Sequence, residues 1–389
     1  MSGFPFSGIK VLDVSQGVAG PHAGMLLAQN GAEVIKLEPM DGDWGRTLGK
    51  RYGEFCAQAV SFNRGKQSIA LNLKSEGGQT VAKRLAERAD IFIESFRPGV
   101  AARLGFGYDD LRTLRADIIY LSISGFGQKG EYRDLRVTDA VIQAFSGWMT
   151  LHRDGDGTPM RSDITAIDVL TGLYAYQAIA SAFIERLRNG NGAHIDCSMM
   201  QAAAAFQSAK IIEAYMEDGR PQVSYVPVGV MPTSDGYIAI SAMRDAHYAA
   251  LCEQLGRPDM ATDPRFATRD ARREHKEVLM PMLAAEFRKQ TTAHWSGRLS
   301  AAGVMNSAVN TYLDFLADPH VKSSGILPHA EVFEGTIAPT VNVPGCVPLS
   351  SGDPRGRCPA VGEHTDDILE RVGIEPDERR RLRRSGAVR

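Results

Sequence analysis

The sequence predicts an α/β protein with a parallel sheet covered by helices, and two features support this class. Over roughly the first 200 residues, short runs rich in β-branched side chains alternate with longer stretches of helical periodicity, which is typical of strands joined by crossover helices. The clearest unit has a strand over residues 9–14, a helix that begins near Gly20 and Pro21, and a strand over residues 33–37. Such a βαβ unit crosses over right-handed.

The same alternation continues along the chain. Strands are predicted over residues 90–94, 117–121 and 194–197, with a helix over 79–88 before the first of them and a shorter helix over 109–114 between the first two. The most regular helix runs over residues 165–187, where apolar side chains recur at spacings of three and four. It ends at an Asn-Gly-Asn-Gly sequence, which is a strong signal for a helix C-terminus.

The character of the chain changes after about residue 220. A turn into a strand is predicted over residues 233–238, and helical patterns follow as far as about residue 299. The stretch over residues 330–359 is rich in Pro, Gly and Ser, and it indicates an extended connection back to the main body. We therefore expect a smaller domain in the second half of the chain.

Composition excludes several classes of protein. The chain has 389 residues, 43% of them hydrophobic and 23% charged, which is ordinary globular composition and enough for two cores. The formal net charge is -2, and no basic stripe precedes the arginine-rich C-terminus. Because a nucleic-acid binder needs such a stripe to neutralise phosphates, we expect no nucleic-acid partner.

Cysteine usage and the N-terminal sequence bear on the compartment. Five cysteines are scattered along the chain without a CxxC pair, which argues against a disulfide framework and a zinc site and favours a reducing environment. The sequence shows no signal peptide and no membrane span. We therefore expect a soluble, cytoplasmic protein without a membrane partner.

One glycine-rich turn invites comparison with a nicotinamide site. Residues 17–24 lie between the first strand and the first helix, and Glu38 ends the next strand, where an acid could bind ribose. The second glycine of that fingerprint is missing, because Ala19 stands at its place. A tight strand-to-helix turn is favoured over a nicotinamide cofactor. The nine histidines have no metal-binding spacing, so we expect no metal.

Asp168 is the carboxylate that most invites a chemical role, since it lies in the first turn of an otherwise apolar helix. The helix dipole and the terminal N–H groups favour an anion there, which predicts a lowered pKa and a carboxylate ready to act as a nucleophile. The same electrostatics make acidic residues common in first turns, so position alone leaves a purely structural role open.

Eleven strings, read in order over nearly the whole chain, resemble the class III CoA-transferase family (CaiB/BaiF). They are GIKVLDVS (8–15), AGP (19–21), GAEVIKLEP (31–39), NRGKQSIALNLK (63–74), FRPG (96–99), RLG (103–105), SGFG (124–127), DVLTGLY (168–174), NGAHIDCS (191–198), DPRFA (263–267) and GEHTDDIL (362–369). Each string alone is weak, but the ordered set is very specific to the family.

The resemblance implies a particular architecture. It implies a large CoA-binding, Rossmann-like domain whose parallel sheet is built from both chain ends, over residues 1–215 and 329–389. It also implies a smaller α+β domain over residues 216–328 and a homodimer of two interlocked ring-shaped subunits.

The resemblance also implies a chemistry. Asp168 matches the family's catalytic aspartate, which passes coenzyme A from an acyl-CoA donor to a small organic acid through an anhydride and an aspartyl-CoA thioester. Coenzyme A is then a co-substrate. Twelve residues match the family's CoA contacts: Gln16, Gly17, Val18, Ala19, Leu71, Lys74, Ser95, Phe96, Arg97, Arg103, Leu104 and Arg136.

Other functions stay open from sequence. The family includes 2-methylacyl-CoA racemases, which have a His-Asp pair where this chain has Thr138 and Asp139. A nicotinamide-dependent oxidoreductase and a CoA-binding protein without chemistry are further alternatives. Some transferases of the family have a run of glycines that closes over the intermediate, whereas the comparable stretch here covers residues 225–232 and contains one glycine.

Overall fold

Six parallel strands form the main sheet in the computed structural model, which describes residues 3–219 and 223–389. Residues 1–2 of the predicted large domain and 220–222 of the predicted small domain lie outside the described residues. The strands of the described chain are β1 (Lys10–Asp13), β2 (Glu33–Glu38), β3 (Arg51–Tyr52), β4 (Phe55–Cys56), β5 (Gln67–Ala70), β6 (Ile91–Glu94), β7 (Ile119–Ser124), β8 (Ala193–Ser198), β9 (Val228–Pro232), β10 (Tyr237–Ser241), β11 (Met305–Ala308), β12 (His329–Phe333) and β13 (Thr336–Pro339).

Helices connect and cover these strands. The α-helices are α1 (Ala19–Gln29), α2 (Ala57–Asn63), α3 (Glu76–Ala86), α4 (Val100–Arg103), α5 (Tyr108–Leu114), α6 (Asp139–Phe145), α7 (Ala166–Asn189), α8 (Met199–Phe206), α9 (Ser208–Met216), α10 (Asp245–Gln254), α11 (Pro258–Thr262), α12 (Arg269–Glu274), α13 (Lys276–Phe287), α14 (Thr292–Ala301), α15 (Tyr312–Ala317), α16 (Pro319–Ser323), α17 (Thr365–Arg371) and α18 (Pro376–Arg384). Short 3-10 helices cover Trp44–Thr47, Trp148–Leu151 and Pro354–Gly356.

The main sheet has the strand order β5-β2-β1-β6-β7-β8. The parallel α/β class is confirmed, and the five predicted strands of this sheet are present within three residues of their predicted ends. The sixth strand, β5, was missed, because its four residues offer only Ile69 and Ala70 as apolar positions. It pairs with β2 and forms one edge of the sheet.

Side-chain alternation divides the core between the two faces of the sheet. On one face, Val11, Ile91 and Ile119 pack with side chains of α1 and α7. On the other face, the neighbouring residues Leu12 and Phe92 pack with side chains of α3 and α17. Because alternate residues of a strand point to opposite faces, one hydrophobic strand serves both layers.

The expectation of a sheet built from both chain ends is wrong. All six strands of the main sheet lie between residues 10 and 198. The C-terminal part instead contributes α17 to one face of the core and a single antiparallel bridge between Leu71 and Val388. Its apolar runs are interrupted by Gly and Pro, which cannot sustain a central strand.

The described chain divides into two units. The first unit comprises Met1–Ile211 and Ser324–Arg389, and the second comprises Ile212–Ser323. The second unit has a three-stranded antiparallel sheet in the order β11-β10-β9, covered by helices around Leu251, Leu279 and Phe287. The stretch that stands where some transferases have a glycine run forms β9 from Val228 onward.

Candidate active site

Asp168 lies in the first turn of α7, as the helical pattern predicted. The helix is long and apolar enough to cross a membrane by length and composition, but in the first unit it packs against α1. A Cβ at Gly172 would overlap His22 and the carbonyl of Ala19, which shows how closely the two helices approach. This packing fixes the axis of α7 and therefore the place of Asp168.

A cleft of about 760 Å³ lies beside Asp168, at the carboxyl ends of the strands of the first unit. Ligands of parallel α/β proteins bind in this position, because the loops after the strands converge there. The cleft is lined by Gln16, Val18, Ala19, Trp44, Ser95, Phe96, Arg97, Pro98, Ile123, Ser124, Gly125, Arg133, Leu135, Arg136, Val137, Thr138, Asp139, Asp168 and Met199.

Eight of the residues predicted from sequence therefore line one cleft. They are Asp168 and, among the predicted CoA contacts, Gln16, Val18, Ala19, Ser95, Phe96, Arg97 and Arg136. These residues come from four separate segments of the chain. The order of the sequence motifs does not show that these residues are neighbours, whereas the structure places them around one cleft.

The turn after β1 is held by the loop after β6 and by the segment after β2. The Gln16 N–H donates to the Ser95 hydroxyl at 2.9 Å, and the Gly17 N–H donates to Asp43 Oδ1 at 2.9 Å. Gly17 has a φ of +84°, and the ring of Trp44 occupies the space that a Cβ would need. Gly17 thus shapes the cleft through its backbone.

Besides Gly17, four of the twelve predicted CoA contacts do not line this cleft. Leu71 is 1% exposed and its side chain belongs to the hydrophobic core, so a contact between Leu71 and coenzyme A stays a prediction. Leu104 packs against the same core from its edge. Lys74 is exposed beyond β5, and Arg103 is exposed on α4, where its guanidinium lies over Gly99.

Burial raises the pKa of Asp168 to about 7, and the negative charge of Asp139 acts in the same direction. The expectation of a lowered pKa is wrong. It assumed that the N–H groups of the helix end would hold the Asp168 carboxylate. Those of Ile167 and Asp168 donate instead to Asp139 Oδ2, at 2.7 and 3.0 Å.

Trp44, Arg133 and Asp139 are among the cleft residues that sequence reasoning did not assign to the site. Trp44 is 52% exposed, Arg133 adds a third arginine, and Asp139 closes the end of α7. An exposed tryptophan in a polar segment was a signal that could have found Trp44. The place of Asp139, where racemases of the family have the aspartate of a His-Asp pair, was a signal for that residue, whereas nothing in the local sequence distinguishes Arg133 from a surface charge.

Beneath the cleft lies a network of buried charges. Lys36 contacts Asp43 at 3.0 Å, and Lys66 contacts Asp13 at 2.8 Å. Asp43 in turn accepts the Gly17 N–H, so the network supports the turn that lines the cleft. Removing any one member would leave a buried charge unpaired.

Glu38 belongs to the same buried layer. Arg46 donates to both of its carboxylate oxygens at 2.7 Å, and Ser68 adds a third hydrogen bond. Arg46 and Lys36 hold the pKa of Glu38 below its usual value despite its burial. The Glu38 carboxylate is therefore engaged within the fold, at the position where a nicotinamide-binding protein would offer it to ribose.

Within residues 3–219 and 223–389, no cluster of His, Cys, Asp and Glu is arranged to hold a metal ion. An acid presented at a helix end, in a cleft with three arginines at the carboxyl ends of parallel strands, defines an α/β enzyme site for an anionic substrate. Residues 6–365 match the family model described as CoA-transferase family III. The chain belongs to this family.

Similar proteins agree with this assignment. The chain is 34% identical over 383 residues to a succinate–glutarate CoA-transferase of Agrobacterium fabrum, covering 94% of this chain and 95% of that protein. It is 34% identical over 382 residues to the human succinyl-CoA:glutarate CoA-transferase, covering 95% of this chain and 86% of that protein. The crystal structure of a CaiB/BaiF family protein from Brucella suis superposes with a TM-score of 0.84 at 30% identity, covering 95% of this chain and 100% of that one.

Proposed function

We propose that the protein transfers coenzyme A between carboxylic acids with Asp168 as the covalent relay. The Asp168 carboxylate attacks the thioester carbonyl of the donor acyl-CoA, and the C–S bond breaks to release CoA thiolate and a mixed anhydride. The thiolate attacks the aspartyl carbonyl, which releases the donor acid and leaves an aspartyl-CoA thioester. An acceptor carboxylate then reverses both steps, so a new acyl-CoA forms and Asp168 is regenerated.

One observation carries the proposal: Asp168 faces a cleft that holds three arginines and is large enough for an extended thiol arm. Coenzyme A carries several phosphate charges, and arginine is the side chain best suited to bind them. A carboxylate, which is a weak nucleophile in water, becomes competent when burial raises its pKa.

The names of the relatives indicate which class of carboxylic acid to expect as substrate. Those described above act on succinate, succinyl-CoA and glutarate. We propose that this protein likewise uses short dicarboxylic acids, with succinyl-CoA as donor. Arg133, exposed at the cleft and 3.6 Å from Asp134, is a cation beyond the predicted CoA contacts and suits a second carboxylate.

The alternatives have less support. A racemase needs a base at the α-carbon, and Thr138, which lines the cleft where racemases have histidine, takes up no proton at neutral pH. A nicotinamide-dependent enzyme would need Glu38 free to bind ribose, but Arg46 and Ser68 engage it. A CoA-binding protein without chemistry would give no reason for a carboxyl group with a raised pKa at the cleft.

Intact mass spectrometry tests the proposal directly. Incubation with succinyl-CoA is expected to add the mass of coenzyme A, less water, to the peptide that contains Asp168. Asp168→Ala is expected to abolish both the adduct and the transfer of CoA to glutarate. Asp163→Ala changes an exposed aspartate of the preceding loop and serves as the matched control, with wild-type activity. A wild-type protein that forms no adduct and transfers no CoA to any acid would contradict the proposal.

We further propose that the protein acts in the cytoplasm as an interlocked homodimer. The second unit supports an association, because Tyr215, Met216, Tyr312 and Leu313 expose most of their apolar surface. Large exposed apolar surfaces commonly mark protein interfaces. Native mass spectrometry at micromolar concentration is expected to give twice the chain mass of 42.3 kDa, and a monomer would contradict this proposal.

A further inference from the structure

The N-terminus of α7 is closed by a side chain from another helix. Thr165, which precedes α7, forms no side-chain cap. Asp139, at the start of α6, accepts the N–H groups of Ile167 and Asp168 on one carboxylate oxygen, Oδ2. Asp139 is 7% exposed. A buried charge from a different element therefore caps the helix that carries Asp168.

The other oxygen of Asp139 also has a fixed partner. Gln143 Nε2 donates to Asp139 Oδ1, and Gln143 Oε1 accepts the Ser162 N–H at 3.0 Å. Because a backbone N–H can only donate, this second contact sets which end of the Gln143 amide faces Asp139. Ser162, α6 and α7 are thus joined through one carboxylate, and Asp139 cannot turn away from α7 without breaking several hydrogen bonds.

This arrangement changes what Asp168 can bind. The first N–H groups of a helix are natural partners for a first-turn carboxylate, which they stabilise as the anion. Two of those groups are occupied by Asp139. Within the described parts of the chain, no donor reaches the Asp168 carboxylate, and the side chain lines the cleft.

We propose that Asp139 is a positioning residue that takes up the first N–H groups of α7 and so leaves the Asp168 carboxylate without donors and directed into the cleft. The inference rests on the proposed function, because it concerns how well Asp168 attacks a thioester. A carboxylate whose charge is not shared with hydrogen-bond donors is a stronger base and a stronger nucleophile. Asp139 contacts no reacting atom and acts only through Asp168.

Charged and titratable groups surround Asp168 on each element that packs against it. Burial lowers the pKa of His22 to about 4, and burial raises the pKa of Cys197 to about 12, so both are neutral at pH 7. The neighbouring carboxylate that opposes ionisation of Asp168 is Asp139. The groups are Arg97 after β6, Arg133 and Arg136 between β7 and α6, Asp139 on α6, His22 on α1 and Cys197 on β8.

The test separates the effect of the hydrogen bonds that Asp139 accepts from the effect of its negative charge. Asp139→Asn alone would turn an NH₂ group toward the NH₂ group of Gln143 and so disrupt the cap. The double variant Asp139→Asn/Gln143→Glu keeps the cap, because the new carboxylate at position 143 accepts from both the new amide and the Ser162 N–H, and it loses only the 3.4 Å bond from Gln143 Nε2 to the Ser162 carbonyl. The negative charge then lies one side chain farther from Asp168.

Two measurements follow the change. The first is the pH dependence of kcat/KM for CoA transfer. The second is a titration of the ligand-free protein carrying ¹³C-labelled aspartate, with the Asp168 signal assigned by its loss in Asp168→Asn. In the double variant, the fall of kcat/KM at acidic pH (the acid limb of the pH profile) and the midpoint of the Asp168 titration are both expected to lie about 0.5 pH unit or more lower than in wild type, because the like-charge repulsion is weaker. Its kcat above the limb should fall severalfold, since a weaker base is a weaker nucleophile.

A control distinguishes this role from ordinary helix capping. Thr291→Ala removes the N-cap of α14 in the second unit, where the Thr291 hydroxyl accepts the His294 N–H at 3.2 Å. It should lower the melting temperature without moving the limb. Asp139→Ala/Gln143→Glu has the same net charge as the first double variant but no acceptor for the N–H groups of Ile167 and Asp168, so it should lower the Asp168 midpoint further than Asp139→Asn/Gln143→Glu does. Equal midpoints in the two double variants would overturn the proposal for Asp139. If the wild-type protein transfers no CoA, the proposed function is overturned instead. The titration of the ligand-free protein would still show whether Asp139 affects the ionisation of Asp168.

Discussion

Asp139 Oδ2 lies 3.0 Å from the backbone nitrogen of Asp168, and the two carboxyl groups therefore share one helix end. One of them, Asp139, takes the hydrogen bonds that this end can give. The other, Asp168, lines the cleft, where its burial and the negative charge of Asp139 raise its pKa to about 7. The two aspartates have unlike roles because only Asp139 accepts hydrogen bonds from this helix end.

The raised pKa predicts how activity depends on pH. The attacking form is the carboxylate, so protonation of Asp168 below about pH 7 removes the nucleophile. We expect kcat/KM for succinyl-CoA to fall about tenfold for each pH unit below that value and to level off above it. Steady-state rates between pH 5 and 9 measure this. A flat profile down to pH 5 would show that Asp168 ionises like an ordinary aspartate.

The same shift predicts an effect on stability. The folded-state pKa of Asp168 lies above the ordinary aspartate pKa of 3.8, so between pH 3.8 and about 7 the folded state holds a proton that the unfolded state has lost. Stability therefore falls with rising pH in this window, by up to about 1.4 kcal/mol per unit, and the loss persists above it. Asp168→Asn, which cannot ionise, should have a higher free energy of unfolding than wild type at pH 8 and nearly the same at pH 4. Urea titrations of both proteins at pH 4 and pH 8 measure the difference in their free energies of unfolding. An equal difference at the two pH values would contradict the predicted loss of wild-type stability with rising pH.

Much of the fold could be predicted because it follows from local pattern. The strands β1, β6 and β7 carry runs of buried apolar residues, β2 and β8 mix apolar with polar residues, and α7 repeats apolar side chains at helical spacing. The strand β5 could not be predicted, because its burial comes from pairing with β2 and from α17, almost 300 residues away. The C-terminal contribution to the core was anticipated, but as strands and not as helices.

The candidate site shows the same limit. The place of Asp168 on its helix could be derived from spacing, whereas its pKa depends on Asp139, 29 residues earlier in the chain. The likeness to the family supplied the role of Asp168, and no local pattern did. The sign of the pKa shift was wrong because the dipole argument considers α7 alone.

The buried layer beneath the cleft predicts a large loss of stability on substitution. The Lys66 ammonium is fully buried and donates to Asp13 Oδ2, to the Pro21 carbonyl and to Asn63 Oδ1. Lys66→Met keeps the length of the side chain but leaves these acceptors without a partner, and it should cost about 3–5 kcal/mol. Lys74→Met, at an exposed lysine, should change the free energy of unfolding by less than about 0.5 kcal/mol. Equal effects in urea unfolding would show that Lys66 is not part of a coupled network.

The close contact between Gly17 and Trp44 predicts that Gly17→Ala weakens substrate binding and that adding Trp44→Ala restores part of the loss. A Cβ at this position would overlap the Trp44 ring, and the positive φ of +84° is unfavourable for alanine. Gly17→Ala should displace Trp44 from the cleft wall and raise KM for acyl-CoA about tenfold. Gly17→Ala/Trp44→Ala removes the overlap but not the backbone strain, so it should bind better than Gly17→Ala while still binding less well than Trp44→Ala. Isothermal titration with coenzyme A measures all three, and additive effects would contradict the proposed overlap.

The arginines of the cleft predict which of the expected CoA contacts bind phosphate. Arg97 and Arg136 line the cleft, whereas Lys74 is exposed outside its lining. A hydrogen bond to a charged group contributes about 1.5–3 kcal/mol, so Arg97→Ala or Arg136→Ala should weaken CoA binding at least tenfold at low salt. The loss should shrink as salt rises toward 1 M, because screening weakens the wild-type interaction too. Lys74→Ala, with the same change in net charge, should weaken binding less than threefold. A larger effect at Lys74 than at Arg97 would place the phosphates of coenzyme A at the β5 edge of the sheet and outside this cleft.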